Sequence, residues 1–304
     1  MATLRILPKN RDRISFLYFE HCRIEKENQA IAVFKEKDKY LIPCAAIATL
    51  LLGPGTSITH AAIKVLSDNI CTVQWVGEDL TRFYACGRSG ANNTSRLVHQ
   101  ATVWADSLQR LAVVRRMYMF RFQEPLSDDL TLQQIRGHEG VRVRTLYQHW
   151  SKETGIEWSG RDYKQNDWNA ANPVNQALSI ANTYLYAVCQ SALLSVGYSP
   201  ALGFIHTGKP LSFVYDIADL YKGEITIPAA FLATAEARPS DFEATIRRKC
   251  RDRLNSYRLM PRLVNDIDQI LGFSGGEDAE ALCLLWDDVL ESVEGGKNWS
   301  ITEE

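Results

Sequence analysis

Residues 87–95 read GRSGANNTS, and the fold class turns on what lies either side of them. Upstream, RISFLYF, RIEKENQAIAVF, YLIPCAAIATLLL, CTVQWV and RFYACG are short runs rich in β-branched and aromatic residues. Turn residues punctuate them, which is the pattern of strands. One helix is expected to interrupt them near Thr59, where HAAIKVLSDN follows a PGTS turn and spaces Ala62, Val65 and Leu66 along one face. Downstream the apolar period becomes helical. Val98, Thr102, Ala105, Leu108, Leu111 and Ala112 make one stripe, and the segments around Val141, Asn175 and Phe231 repeat the style. The polar, glycine-containing stretch between the two patterns reads as a boundary. The expected architecture is therefore α+β: an N-terminal β-strand-rich domain (residues 1–88), a linker (89–95), an all-α helical domain (96–275) and an acidic C-terminal segment (276–304).

A chain of 304 residues can hold two ordinary domains. Its 34 Lys and Arg residues nearly balance 36 Asp and Glu, so total charge argues neither for nor against a polyanionic partner. The seven cysteines are scattered without a C-x-x-C pair, which excludes the usual thiolate zinc and redox motifs and reads as reduced, packed thiols. The N-terminus, MATLRILPKNRDR, lacks a long apolar core, and the apolar stretch from Tyr40 to Leu52 is interrupted by Pro43. Neither has the form of a signal or a spanning segment, so the expected location is cytoplasmic.

Local charge is more informative. Between Arg247 and Arg262 seven basic residues stand against Asp252 alone, a candidate phosphate-binding stripe or else a solvated helix face. From Leu263 to Glu304 eleven acids stand against Lys297, which suits avoidance of nucleic acid and an end that need not be fully ordered.

His206 to Lys222, HTGKPLSFVYDIADLYK, admits two incompatible readings. Gly203 to Lys209, GFIHTGK, has the G-x-x-x-x-G-K spacing of a phosphate-binding loop. The next position should supply a hydroxyl for magnesium, but Pro210 offers neither hydroxyl nor N–H, and GYSPAL makes a poor preceding strand. The second reading is a metal site. Ser212 would cap a helix with Phe213, Val214, Ile217, Leu220 and Tyr221 on its apolar face. Asp216 and Asp219, three apart, would then share the opposite flank and converge on one ion.

Longer motifs decide between these readings. RISFLYF, LLGPGTSITHAAI, VGEDLTRFYACG, QQIRGHEGVRVR, NDWNAANPVNQALS, GFIHTGKPLSFVYDIADL and the CRD at Cys250 to Asp252 together resemble CRISPR-associated protein one, the spacer-acquisition integrase and endonuclease, in its type I-E branch. The resemblance implies a β-domain followed by a catalytic helical domain. It implies metal ligands at Glu139, His206 and Asp219, with Asp216 as a further acid needed for activity. An imidazole with two carboxylates suits Mg2+ or Mn2+. The implied reaction is attack by the 3′-hydroxyl of a captured DNA fragment on a phosphodiester of the CRISPR repeat, and hydrolysis where water replaces the hydroxyl. A non-catalytic DNA-binding scaffold subunit is the alternative.

The same resemblance implies binding of double-stranded DNA with single-stranded 3′ ends. Arg136, Tyr163, Tyr186 and Lys209 would read unpaired bases near the active site, with Trp168 as a further wall, and Arg82, Arg247 and Arg251 would follow the DNA backbone. The aromatic wedge that this branch sets against the duplex end falls at His21. Assembly is implied as a homodimer through the β-domains, within a larger complex with the small ferredoxin-like partner, CRISPR-associated protein two.

Overall fold

A computed structural model of the chain describes residues 17–77, 83–87, 94–127, 129–161, 172–274, 284–287 and 291–294. The N-terminal part contains strands β1 (Leu17–Phe19), β2 (Arg23–Glu27), β3 (Ala30–Lys35), β4 (Asp38–Pro43), β5 (Thr49–Leu52) and β6 (Ser57–Ile58). Helix α1 (His60–Asp68) and strands β7 (Thr72–Val76) and β8 (Phe83–Gly87) complete it. Helix α1 starts where the sequence places it, with the Thr59 hydroxyl accepting the Ala62 N–H, and it buries Ala62, Val65 and Leu66.

The strands form two sheets, ordered β1-β5-β7-β8 and β4-β3-β2-β6. In the first, β1, β5 and β7 run parallel and β8 closes the edge antiparallel. All of β5, TLLL, is buried, so its alternating side chains must satisfy two cores. Leu50 and Leu52 pack with Ile24, Ile31, Val33 and Leu66 inside the β-domain, whereas Leu51 packs against helices of the second domain.

The helical part runs α2 (Ser95–Ala105), α3 (Ser107–Phe122), α4 (Leu132–Thr154), α5 (Pro173–Val196), α6 (Ser212–Asp219), α7 (Thr226–Glu236), α8 (Phe242–Ser256) and α9 (Leu259–Leu271). A hairpin of β9 (Leu284–Asp287) and β10 (Glu291–Glu294) is the described part of the acidic segment. Helix α5 is apolar on nearly every side because nearly every side is buried. It is long and apolar enough to cross a membrane, yet 72% of its apolar 18-residue stretch lies inside the protein as the shared core helix. The Gln74 side-chain amide donates to the Ala187 carbonyl, and the Ser191 hydroxyl reaches Thr72 and the Ala48 carbonyl. The two domains therefore share one buried seam.

The apolar stripe expected from Val98 to Ala112 is not the buried one. Val98 is 61% exposed and Leu108 77% exposed, while Gln100, Val103, Val113, Val114, Met117 and Tyr118 face inward. The reason is local. Asp106 accepts the Leu108 and Gln109 N–H groups and caps a new helix, so the helical phase breaks between Ala105 and Ser107.

Candidate active site

His206 lies in the loop between α5 and α6, and that loop folds around one carboxylate. Asp216 Oδ2 accepts the N–H groups of Phe204 (2.6 Å) and Ile205 (3.0 Å). Its Oδ1 accepts the His206 N–H (2.8 Å) and the His206 ring Nδ1–H (2.7 Å). Asp216 is thus buried rather than on a wet flank, which corrects the expectation that it converges with Asp219 on one ion. Both its oxygens are committed to the loop, and burial of this charge is tolerable because four donors satisfy it. The bond fixes the proton on Nδ1 and leaves the Nε2 lone pair for a ligand, as in carboxylate–histidine pairs that orient metal-binding imidazoles. It also holds the imidazolium pKa above the ordinary histidine value, against the opposing effect of burial.

Side chains from α2 and α3 clamp the same loop from outside. Gln100, wholly buried, accepts the Ser199 N–H and donates to the Ser199 and Leu202 carbonyls. The Trp104 indole N–H donates to the Gly203 carbonyl at 2.9 Å, and the Arg110 guanidinium donates to the Phe204 carbonyl. A Cβ on Gly203 would stand 2.3 Å from the His206 carbonyl oxygen, so glycine is required there by close approach. Ser212 is the first residue of α6 rather than its cap. Its hydroxyl closes the turn by accepting the Lys209 N–H and donating to the Lys209 carbonyl. Among residues 197–203 there is no strand, so the GFIHTGK stretch lacks the strand–loop–helix context of a nucleotide site.

Glu139 on α4 and Asp219 at the end of α6 line one cavity of about 610 Å³, with Arg121, Arg142, Lys222, Phe120, Tyr147 and Tyr257 among its walls. Each acid already has a cation. Glu139 pairs with Arg121 of α3, and Asp219 Oδ1 lies 2.6 Å from Lys222 Nζ. Burial works against the Lys222 ammonium, but Asp219 and Tyr186 more than offset it and raise its pKa above the ordinary lysine value. A row of side chains joins the two halves of the site. The His206 ring meets Tyr215 at 6.0 Å, Tyr215 meets Tyr186 at 5.0 Å, and Lys222 lies over the Tyr186 ring at 5.0 Å.

Among the described residues, no three His, Cys, Asp or Glu side chains are gathered into a cluster that could hold a metal ion as placed. The donor chemistry nevertheless fits a hard divalent cation: one imidazole nitrogen fixed by Asp216, and two carboxylates, each paired with a cationic side chain.

Of the residues expected to meet DNA, Arg136 is exposed on α4, Lys209 is exposed in the turn before α6, and Tyr186 is half-buried on α5. On α8, Arg247 stacks over Tyr18 of β1 at 5.6 Å and pairs with Glu243, whereas Arg251 is exposed beside Asp252. The basic run from Arg247 to Arg262, which spans α8 and the start of α9, is consequently split. Lys249 is tied to Glu236, Arg253 lies over Trp150 and Arg262 holds Asp266, which leaves Arg248, Arg251 and Arg258 exposed. Arg82, Tyr163 and Trp168 lie outside the described residues. His21 adopts φ 49° and packs on Gly55, where a Cβ would stand 2.4 Å from the ring nitrogen Nδ1. Sequence reasoning missed Gln100, Trp104, Arg110, Arg121 and Lys222. Lys222 carried a signal, since it follows Asp219 at the helical i,i+3 spacing.

A strand-rich domain sharing its core with a helical domain is a fold with solved relatives. The structure of TM1797 from Thermotoga maritima, described as a CAS1 protein, matches with a TM-score of 0.68 over 86% of this chain and 99% of that one, at 14% identity, which shows the fold alone. The crystal structure of the TtCas1–DNA complex matches with a TM-score of 0.82 at 48% identity over 93% of this chain and 99% of that one. The family model described as CRISPR associated protein Cas1 matches residues 16–124 and 118–255. "CRISPR-associated endonuclease Cas1 2" of Thermus thermophilus is 50% identical over 302 residues, 96% of this chain and 92% of that protein. The chain belongs to the Cas1 family.

Proposed function

We propose that this protein is the DNA endonuclease and integrase of CRISPR adaptation, joining captured DNA fragments to the CRISPR repeat by 3′-hydroxyl attack on its phosphodiesters. One observation carries the reading: in a member of a family whose curated relatives are named endonucleases, Asp216 holds His206 by its ring Nδ1 and leaves Nε2 for a ligand.

Glu139, His206 and Asp219 would hold Mg2+ or Mn2+. Such an ion supplies charge neutralisation on the phosphate under attack and polarises the attacking oxygen. The remaining work falls to the chain itself. Asp216 fixes the imidazole, and the Gln100, Trp104 and Arg110 clamp keeps its loop from shifting. Arg121, Arg142 and Lys222 give the cavity cationic walls suited to phosphate oxygens, and Phe120, Tyr147 and Tyr257 add aromatic surface to it. Arg136, Tyr186, Lys209, Arg247 and Arg251 would bind a duplex with single-stranded 3′ ends, as the DNA complex of the 48%-identical relative supports. The assembly would be a homodimer bound to CRISPR-associated protein two, and its location cytoplasmic.

The test is a strand-transfer assay with the small partner protein, a forked duplex bearing 3′-hydroxyls, and a supercoiled plasmid carrying a repeat. Joining with Mg2+ or Mn2+, lost in EDTA and in His206→Ala and Asp219→Ala proteins that still bind DNA, supports the reading. Wild-type protein that binds the fork and joins it under no metal overturns it in favour of a scaffold subunit.

A further inference from the structure

Glu139 and Asp219 stand on different helices, and each is engaged by one cation that also lines the cavity. The pairs are partly sheltered, with side-chain exposures of 15% for Arg121, 20% for Glu139, 27% for Lys222 and 18% for Asp219. Two carboxylates in such a place would repel one another and lose hydration if left alone. Two cationic side chains cancel that charge, and together they carry the same charge as one divalent ion. Each cation also has an aromatic neighbour: Lys222 lies 5.0 Å over the Tyr186 ring and Arg121 lies 5.9 Å over Tyr118. A cation that leaves its carboxylate therefore keeps a favourable neighbour.

Resting on the metal reading above, we infer that Arg121 and Lys222 are resident counter-ions of Glu139 and Asp219, and that a divalent cation enters the site by displacing them. The exchange conserves charge within the site. It also turns an ammonium and a guanidinium loose at the cavity wall, where the chemistry they next satisfy is that of DNA phosphate oxygens. Binding of metal and binding of the phosphate backbone are thereby coupled through two side chains that touch neither ligand in the resting state.

A competitor's removal must strengthen the binding it opposes, whereas removal of a residue that merely shapes the site must not. Mn2+ binding to the full-length protein is followed by the electron paramagnetic resonance of free Mn2+, with melting temperature recorded with and without the ion. Lys222→Met and Arg121→Met are expected to bind Mn2+ about tenfold more tightly than wild type. Both should melt lower than wild type without metal, and show the larger rise when it is added. Asp219→Asn should abolish the gain that Lys222→Met gives. Lys222→Gln serves as a second variant where the methionine protein is poorly folded. Mn2+ affinity that is unchanged or weakened in the Lys222 and Arg121 variants, with wild type binding normally, overturns this inference alone. Absence of Mn2+ binding in wild type and every variant overturns the metal reading and this inference together.

Discussion

Asp216 grips His206 at two points: the same carboxylate oxygen accepts its backbone N–H at 2.8 Å and its ring Nδ1–H at 2.7 Å. The first contact builds the loop and the second aims the imidazole, so folding and chemistry share one oxygen.

Asp216→Ala is accordingly expected to cost stability as well as activity. It strands the N–H groups of Phe204, Ile205 and His206, each worth roughly 1–3 kcal/mol when left without an acceptor. Urea denaturation should show a loss of about 3 kcal/mol or more. Asp219→Asn removes one ion pair and leaves those three backbone donors satisfied, so it should cost less stability while abolishing strand transfer. Equal stability losses in the two proteins would contradict the division of labour between these acids.

The clamp on the histidine loop offers a finer test. Trp104→Phe keeps an aromatic ring and deletes one hydrogen bond to the Gly203 carbonyl. Its expected signature is a several-fold fall in the joining rate with fork affinity unchanged, as the proposed role of the ring it steadies requires. Gln100→Ala should reproduce that signature and add a stability loss of about 2 kcal/mol, since Gln100 is buried and serves three backbone groups.

Gly203→Ala should fail for a steric reason alone. The added methyl meets backbone on two sides, the His206 carbonyl oxygen and Ser212, and neither can swing aside as a side-chain end could. A loss of roughly 2 kcal/mol or more in thermal or chemical denaturation is expected. A protein as stable as wild type would show that the loop has room the structure does not give it.

Two arginines one helical turn apart on α8 should separate DNA affinity from folding. Arg251→Ala, at an exposed position, is expected to weaken binding of forked DNA and to make the salt dependence shallower by about 0.9 for each phosphate no longer neutralised, with the melting temperature unchanged. Arg247→Ala should weaken binding and also melt lower, because it removes the stack on Tyr18 and so a tie between β1 and α8. Filter binding across a salt series, read beside thermal melts, distinguishes the two.

Much of this was legible in the chain. Strand runs, the Thr59 cap and the change of period across residues 87–95 gave the two-part α+β order, because each of these signals is local. The stripe from Val98 to Ala112 misled because a one-residue break at Asp106 shifts the helical phase, and periodicity assumes an unbroken helix. Asp216 was misplaced for the opposite reason. Spacing within α6 says which residues share a flank, but not that a neighbouring loop will wrap that flank and bury it. Arg121 and Gln100 stand far in sequence from the groups they serve, so no spacing rule could pair them.

Helix α5 settles what kind of object this protein is. The hydrogen bonds that Gln74, Thr72 and Ala48 make with it belong to the interior of a single body, although the polar stretch at 87–95 invites a cut. A polypeptide begun at residue 95 would bring the histidine loop and its acids with it, yet leave one greasy flank of α5 facing water. The reactive half is therefore not a cassette that can be lifted out and grafted elsewhere. The tyrosine that sits beside Lys222 rides on that same shared helix.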